Sequence, residues 1–189
     1  MSNLEDIITR VADFIKRYRC IKTIKIKFTI GKYCSEFGFA KHIFHKENHD
    51  KIESLLNNCS TWEDVSEKRV EKFKSEPEKT VDSLIICCKN SPYDIMVTAE
   101  TKKDTDIYVS DKFSSDIKTF KRKNHIFLIS EDNTGLNEKF YVVNIIASIP
   151  DKYTDTYIAH SSLLKVQDLI KACADTQDDL SFSILQKNN

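Results

Sequence analysis

The sequence predicts an α+β fold, an antiparallel barrel or sandwich of strands with helices packed around it. Two observations carry this. Segments at both ends of the chain and one inside it repeat apolar residues at helical spacing. Most of the stretch from Trp62 to Ile149 alternates apolar and polar residues in short runs divided by turn residues. The 189 residues, 40% of them hydrophobic, suffice for a buried core, so residues 1–189 read as a single domain with an undefined tail after about 175.

The elements follow in order. Ser2 and Glu5 make a capping box for a first helix, whose Leu4, Ile7, Ile8, Val11, Phe14 and Ile15 fall on one face. A strand over 21–30 comes next, with Gly31 expected to turn the chain into a second strand over 37–44. A helix over 47–56 turns Ile52, Leu55 and Leu56 inward. Strands are then predicted over 61–73, 83–89, 93–101, 106–109, 117–121, 125–130, 140–149 and 153–158. Turn residues punctuate them at Glu76-Pro77, Asn90-Ser91-Pro92, Asp132-Asn133-Thr134-Gly135 and Pro150-Asp151. A final helix is expected from Ser161 or Ser162 to Ala174.

Composition narrows the function. Lys+Arg 29 and Asp+Glu 29 cancel, which argues against generic adhesion to nucleic acid and leaves only local clusters to bind phosphate. The acidic N-terminus has no signal-peptide pattern, and the longest apolar run, 140–149, is interrupted by Asn144 and too short for a membrane. A cytoplasmic protein with reduced thiols is expected, since the six cysteines fit no zinc knuckle. His42, His45 and His49, with Cys34 and Cys59, match no familiar ligand spacing and read as solvated or capping residues.

The strongest local signal is Thr23-Ile24-Lys25-Ile26-Lys27-Phe28. Its alternation puts Lys25 and Lys27 on one face and Ile24, Ile26 and Phe28 on the other. The apolar face demands a core, which leaves the lysines facing a polar interior. Thr119-Phe120-Lys121-Arg122-Lys123-Asn124-His125 is a second basic strand. Lys121 and Lys123 share a face there unless the register slips by one and turns Arg122 inward.

Four segments, in order, resemble the RNA triphosphatase domain of viral and fungal mRNA-capping enzymes, most closely the N-terminal domain of giant-virus capping enzymes. Residues 25–33 are similar to that family's Glu-x-Glu-x-Arg-Phe-Gly-Lys strand, with Thr23 and Lys25 at the glutamate places and Lys27 at the arginine place. Asp94-Ile95-Met96-Val97-Thr98 is similar to an Asp-Ile-Arg-Val-Ser strand, with Glu100 further along. The 119–125 segment resembles a basic strand that contacts triphosphate. Tyr141-Val142-Val143-Asn144-Ile145 is similar to a Trp-Arg-Ile-Asp-Leu strand, with Asn144 at the aspartate position. A last acidic strand is matched only by the segment containing Asp155.

The resemblance implies an eight-stranded tunnel-like antiparallel barrel with flanking helices. It implies a degenerate relative that acts as a non-catalytic binding or regulatory subunit in viral-type mRNA capping, transcription or RNA processing. Lys25, Lys27, Lys121 and Lys123 are the phosphate-binding candidates. Its ligands would be an RNA 5′ end or a nucleotide triphosphate, and a protein partner in a capping or transcription complex is expected, with no membrane and no cofactor. The alternative is an active, metal-dependent RNA 5′-triphosphatase or polyphosphate hydrolase. It would use Mg²⁺ or Mn²⁺ on displaced acids, with Asp94, Glu100 and Asp155 as candidates.

Overall fold

A computed structural model of the chain describes residues 4–42, 44–73, 79–101, 112–133, 138–176 and 178–185. Three helices and nine strands run in the order α1 (Leu4–Tyr18), β1 (Ile24–Cys34), β2 (Gly38–Ala40), α2 (Lys46–Asn57), β3 (Asp64–Phe73), β4 (Lys79–Cys88), β5 (Asp94–Thr101), β6 (Lys112–Arg122), β7 (His125–Asn133), β8 (Lys139–Ala147), α3 (Asp155–Ala174) and β9 (Phe182–Ile184). All pairings among the described residues are antiparallel. The order across the sheet is β3-β6-β7-β8-β1-β5-β4-β9, with β2 beside β1. The expected α+β tunnel-like architecture is therefore present, with nine strands in place of the expected eight, and no hydrogen-bonded pairing joins its two edges among the described residues.

Register divides the sheet into two faces. Residues paired directly across strands point the same way. One face therefore collects Ile26, Phe28 and Ile30 of β1, Val143, Ile145 and Ala147 of β8, Phe127 and Ile129 of β7, Phe120 of β6, and Ile95, Val97 and Ala99 of β5. All are buried. They form one apolar cluster with Ile7, Val11, Phe14 and Ile15 of α1, Ile52 and Leu56 of α2, and Ile158, Leu163, Val166 and Ile170 of α3. Burying this surface is the main stabilising contribution. The other face carries the lysines.

Several local expectations are corrected. Gly31 does not turn the chain, because β1 continues to Cys34. A Cβ at Gly31 would instead run into the Ala40 carbonyl oxygen and the Phe39 ring, so glycine serves a close approach. The turn into β2 uses Gly38, at φ 78°. On α2 the inward residues are His49, Ile52 and Leu56, while Leu55 is exposed. The segment 153–158 is not a strand, because α3 starts at Asp155. Thr154 is its N-cap, with Oγ1 accepting from the Tyr157 amide at 3.1 Å. The β-branched and aromatic residues there imitate a strand, but the Thr-Asp start is a helix signal. Arg19, just past α1, fastens this start through Asp155 Oδ1 at 2.8 Å and the Tyr153 carbonyl at 2.7 Å. After α3 the chain returns to add β9 to β4, burying Leu180 and Phe182. The predicted 106–109 strand, the Glu76-Pro77 turn, the Thr134-Gly135 part of the turn after β7 and the Ser2 cap lie outside the described residues.

His125 ties sheet to helix. It is 1% exposed, and its Nε2 is 2.9 Å from Ser162 Oγ on α3. Burial, helped by the Lys165 charge, pushes its pKa down to about 3 from 6.5. Below pH 6.5 the unfolded chain binds a proton that the folded chain refuses, so stability falls on acidification through this window and is unaffected above it. The expected loss is about 2 kcal/mol between pH 6.5 and pH 5, at about 1.4 kcal/mol per pH unit. Urea midpoints at the two pH values read it. His125→Gln should flatten the dependence, and an unchanged dependence in that variant discards the assignment.

Candidate functional site

The lysine-bearing face is built by three adjacent rows. In the first, Lys25 of β1 pairs with Glu100 of β5. In the second, Lys121 of β6, Ile126 of β7, Ile146 of β8, Lys27 of β1, Thr98 of β5 and Ser83 of β4 lie side by side. In the third, Thr119, Leu128, Asn144, Thr29, Met96 and Ile85 do the same. Lys121 and Lys27 therefore share a row, separated by three strand spacings or about 14 Å along the sheet. The register settles the second basic strand: Lys121 is on this face, Arg122 pairs with His125 on the helix-covered face, and Lys123 is in the hairpin turn. Lys123 has φ 52°, and its amide donates to Glu63 Oε1 at 3.0 Å.

Charges on this face are arranged unevenly. Lys27 Nζ lies 2.6 Å from Glu100 Oε1, which also accepts from Thr98 Oγ1 at 3.0 Å. Glu100 is 6% exposed. Removing one partner would leave the other charge poorly solvated, so the pair is held by mutual need. Thr29 Oγ1 donates to Asn144 Oδ1 at 2.7 Å, a neutral contact at the centre of the face. Lys25 and Lys121 are exposed at the same end of the sheet, with Asp64 opposite Lys121.

The other predicted acids are elsewhere. Asp94 and Glu100 are on one strand but six residues apart, about 20 Å at the usual rise. Asp94 is 2% exposed and used structurally: it accepts from the Tyr33 amide at 3.0 Å, the Cys88 amide at 2.9 Å and Lys32 Nζ at 3.1 Å. Asp155 is at the start of α3, paired with Arg19. A hard divalent ion such as Mg²⁺ or Mn²⁺ needs several converging oxygen donors. On the described part of β1 and β5 the two carboxylates, Asp94 and Glu100, are at opposite ends of β5 and each is already paired with a lysine, so they do not converge on such an ion.

Sequence reasoning misses a second group of ionisable residues. On the helix-covered side, a cleft of about 360 Å³ lies between α2 and strands β3, β6 and β7. It is lined by His49, Glu53, Glu67, Asp116, Lys118 and Glu131, among others. His49 is not solvated as expected: it is 7% exposed, and burial lowers its pKa. Its ligand atoms lie within 4.8 Å of those of Asp50 and Glu53. Lys118 already supplies a cation here, with Nζ 3.1 Å from Glu53 and 2.8 Å from Glu67. The i, i+4 spacing of His49 and Glu53 is the available signal, but the cross-sheet lysine cannot be placed without the register.

No helix among the described residues is long and apolar enough to cross a membrane. All six cysteines are free thiols.

No protein-family model matches the chain, and no curated protein matches it significantly in sequence. Solved structures do match in fold. S. pombe Pct1 RNA triphosphatase in complex with the Spt5 CTD superposes with a TM-score of 0.67 at 10% identity, over 91% of this chain and 95% of that one. S. pombe Pct1 RNA triphosphatase alone gives a TM-score of 0.65 at 10% identity, over 91% and 94%. The chain therefore has the fold of an RNA triphosphatase of mRNA capping, carried by a sequence that shares only one residue in ten with it.

Proposed function

We propose that this chain is a non-catalytic relative of the RNA 5′-triphosphatases that holds a triphosphate end, of RNA or of a nucleotide, on the lysine-bearing face of its sheet. The observation that carries this reading is the Lys27–Glu100 pair beside Lys25. Lys25 is at a place where the resemblance to the metal-dependent hydrolases expects a glutamate, and the nearest carboxylate, Glu100, already neutralises Lys27. Lys25 and Lys121, exposed at the same end, are available to phosphate oxygens as charge-assisted donors. The role is a binding or regulatory subunit of a capping or transcription assembly. The fold neighbour solved with the Spt5 CTD supports a protein partner in that setting.

The test measures γ-phosphate release from triphosphate-ended RNA and from ATP, with Mg²⁺ or Mn²⁺, beside a binding titration of the same ligands. Binding without release is the expected result, with affinity falling as salt rises. Lys25→Ala/Lys121→Ala should weaken ATP binding by about tenfold, the scale of losing charged contacts. Metal-dependent release that disappears in Glu100→Gln would establish an active hydrolase on displaced acids and end the non-catalytic reading.

A further inference from the structure

The hairpin between β6 and β7 concentrates positive charge on the opposite side of the sheet from Lys27. Arg122 pairs with His125 across this hairpin, so both face α3. His125 touches Ser162, and Lys165 is the next turn of the same helix. Lys123 occupies the turn itself and is exposed. Arg122 and Lys165 are half-buried. Neither they nor Lys123 has a carboxylate ion-pair partner among the described residues.

The neighbouring acids do not neutralise the cluster directly. Glu63 spends Oε1 on the Lys123 amide, and Asp168 acts on Lys165 from a distance. Lys165 Nζ is held by its own helix, 2.7 Å from Ser161 Oγ and 3.2 Å from the Ser161 carbonyl. Burial disfavours its charge, as do Arg122 and Lys123. In the same hairpin, Asn124 is 6% exposed and its Nδ2 is buried without an acceptor. Half-buried cations without an anion are costly to keep. Two of them, with Lys123 alongside, call for an anionic partner.

An aromatic pair at the start of α3 says which kind. Tyr157 is 44% exposed and stacks on Tyr153, with ring centroids 4.8 Å apart and planes 23° apart. It precedes Lys165 by eight residues, about 12 Å along the helix, and Lys165 bends back toward it through Ser161. A lone phosphate would need only the cations. A stacking surface about 12 Å along the helix from a cation cluster suits a single strand, whose bases stack while its backbone is neutralised.

We propose that Arg122, Lys123 and Lys165 bind backbone phosphates of a single-stranded RNA that runs along α3, with Tyr157 stacking one base. This surface is separate from the Lys27 face and does not depend on what that face binds.

The experiment uses a fluorescein-labelled oligoadenylate with a 5′-hydroxyl end, which offers no triphosphate, titrated by anisotropy over a range of salt. Arg122→Gln/Lys165→Gln should weaken binding about tenfold and reduce the slope of log affinity against log salt by about 1.4, two lost contacts at about 0.7 each. Lys123→Glu, at an exposed position with little packing to lose, should weaken it several-fold, as should Tyr157→Ala. The proposal is overturned if the wild-type chain does not bind this RNA, or if Lys123→Glu and the double variant bind with unchanged affinity and slope. A phosphoserine peptide that binds in an Arg122-dependent way where the RNA does not would also overturn it, and would assign the cluster to a protein ligand.

Discussion

Phe28→Ala is expected to lower the unfolding free energy by about 3–5 kcal/mol, the range for truncating a fully buried phenylalanine. Phe28 is 0% exposed. It lies mid-strand in β1, flanked by Ile145 of β8 and Val97 of β5, and the same row continues to Phe127 and Phe120. β1 is the strand that joins the two halves of the sheet, so the cavity would open where neither half can relax into it alone. Urea denaturation reads the change directly. Lys25→Ala, one strand residue from Ile26 but on the exposed side, should change stability by about 0.5 kcal/mol or less. A loss below about 1 kcal/mol in Phe28→Ala would mean that the helix-covered face has been assigned to the wrong residues.

Asp94→Ala should cost about 3 kcal/mol, and the loss should be the same with or without divalent metal. Alanine removes the acceptor of two backbone amides, the half-buried Tyr33 near the end of β1 and the buried Cys88 at the end of β4. Each orphaned buried amide costs about 1–3 kcal/mol. The contact to Lys32 adds little, because that side chain is 44% exposed. Asp94→Asn keeps one acceptor but turns an amide donor toward a second donor, so about half the loss should remain. Thermal unfolding with and without Mg²⁺ separates this role from that of a metal ligand. Wild-type stabilisation by Mg²⁺ that vanishes in Asp94→Asn would show Asp94 holding an ion instead of the chain.

The two faces of β1 are legible in the residues alone, because a period of two forces Ile26 and Phe28 to one side once Lys25 and Lys27 are on the other. The periodicity of α1 and α2 is legible for the same kind of reason. The expectation for Leu55 is off by a single helical step, since Ile52 and Leu56 already define the stripe and His49 completes it. The start of α3 is hidden because Tyr153 to Ile158 has strand-like residue types, and local propensity cannot weigh them against a cap. β9 is invisible because three residues carry too little pattern to announce a strand.

The candidate site divides along the same line. The alternation of Lys25 and Lys27, and the depletion of acids around them, are properties of the chain alone. Whether Lys121 or Arg122 faces those lysines depends on one residue of register. Local sequence leaves that open, and it is set by pairing with β7, where His125 meets Arg122. The Lys27–Glu100 pair, the anchoring of Asp94 by Tyr33 and the bridge from Lys118 to Glu53 all join residues at least 61 positions apart. The sequence determines which side chains have charge and which face each strand can bury, because these follow from spacing. Only the tertiary structure decides which charges meet, because long-range strand order and register bring them within reach.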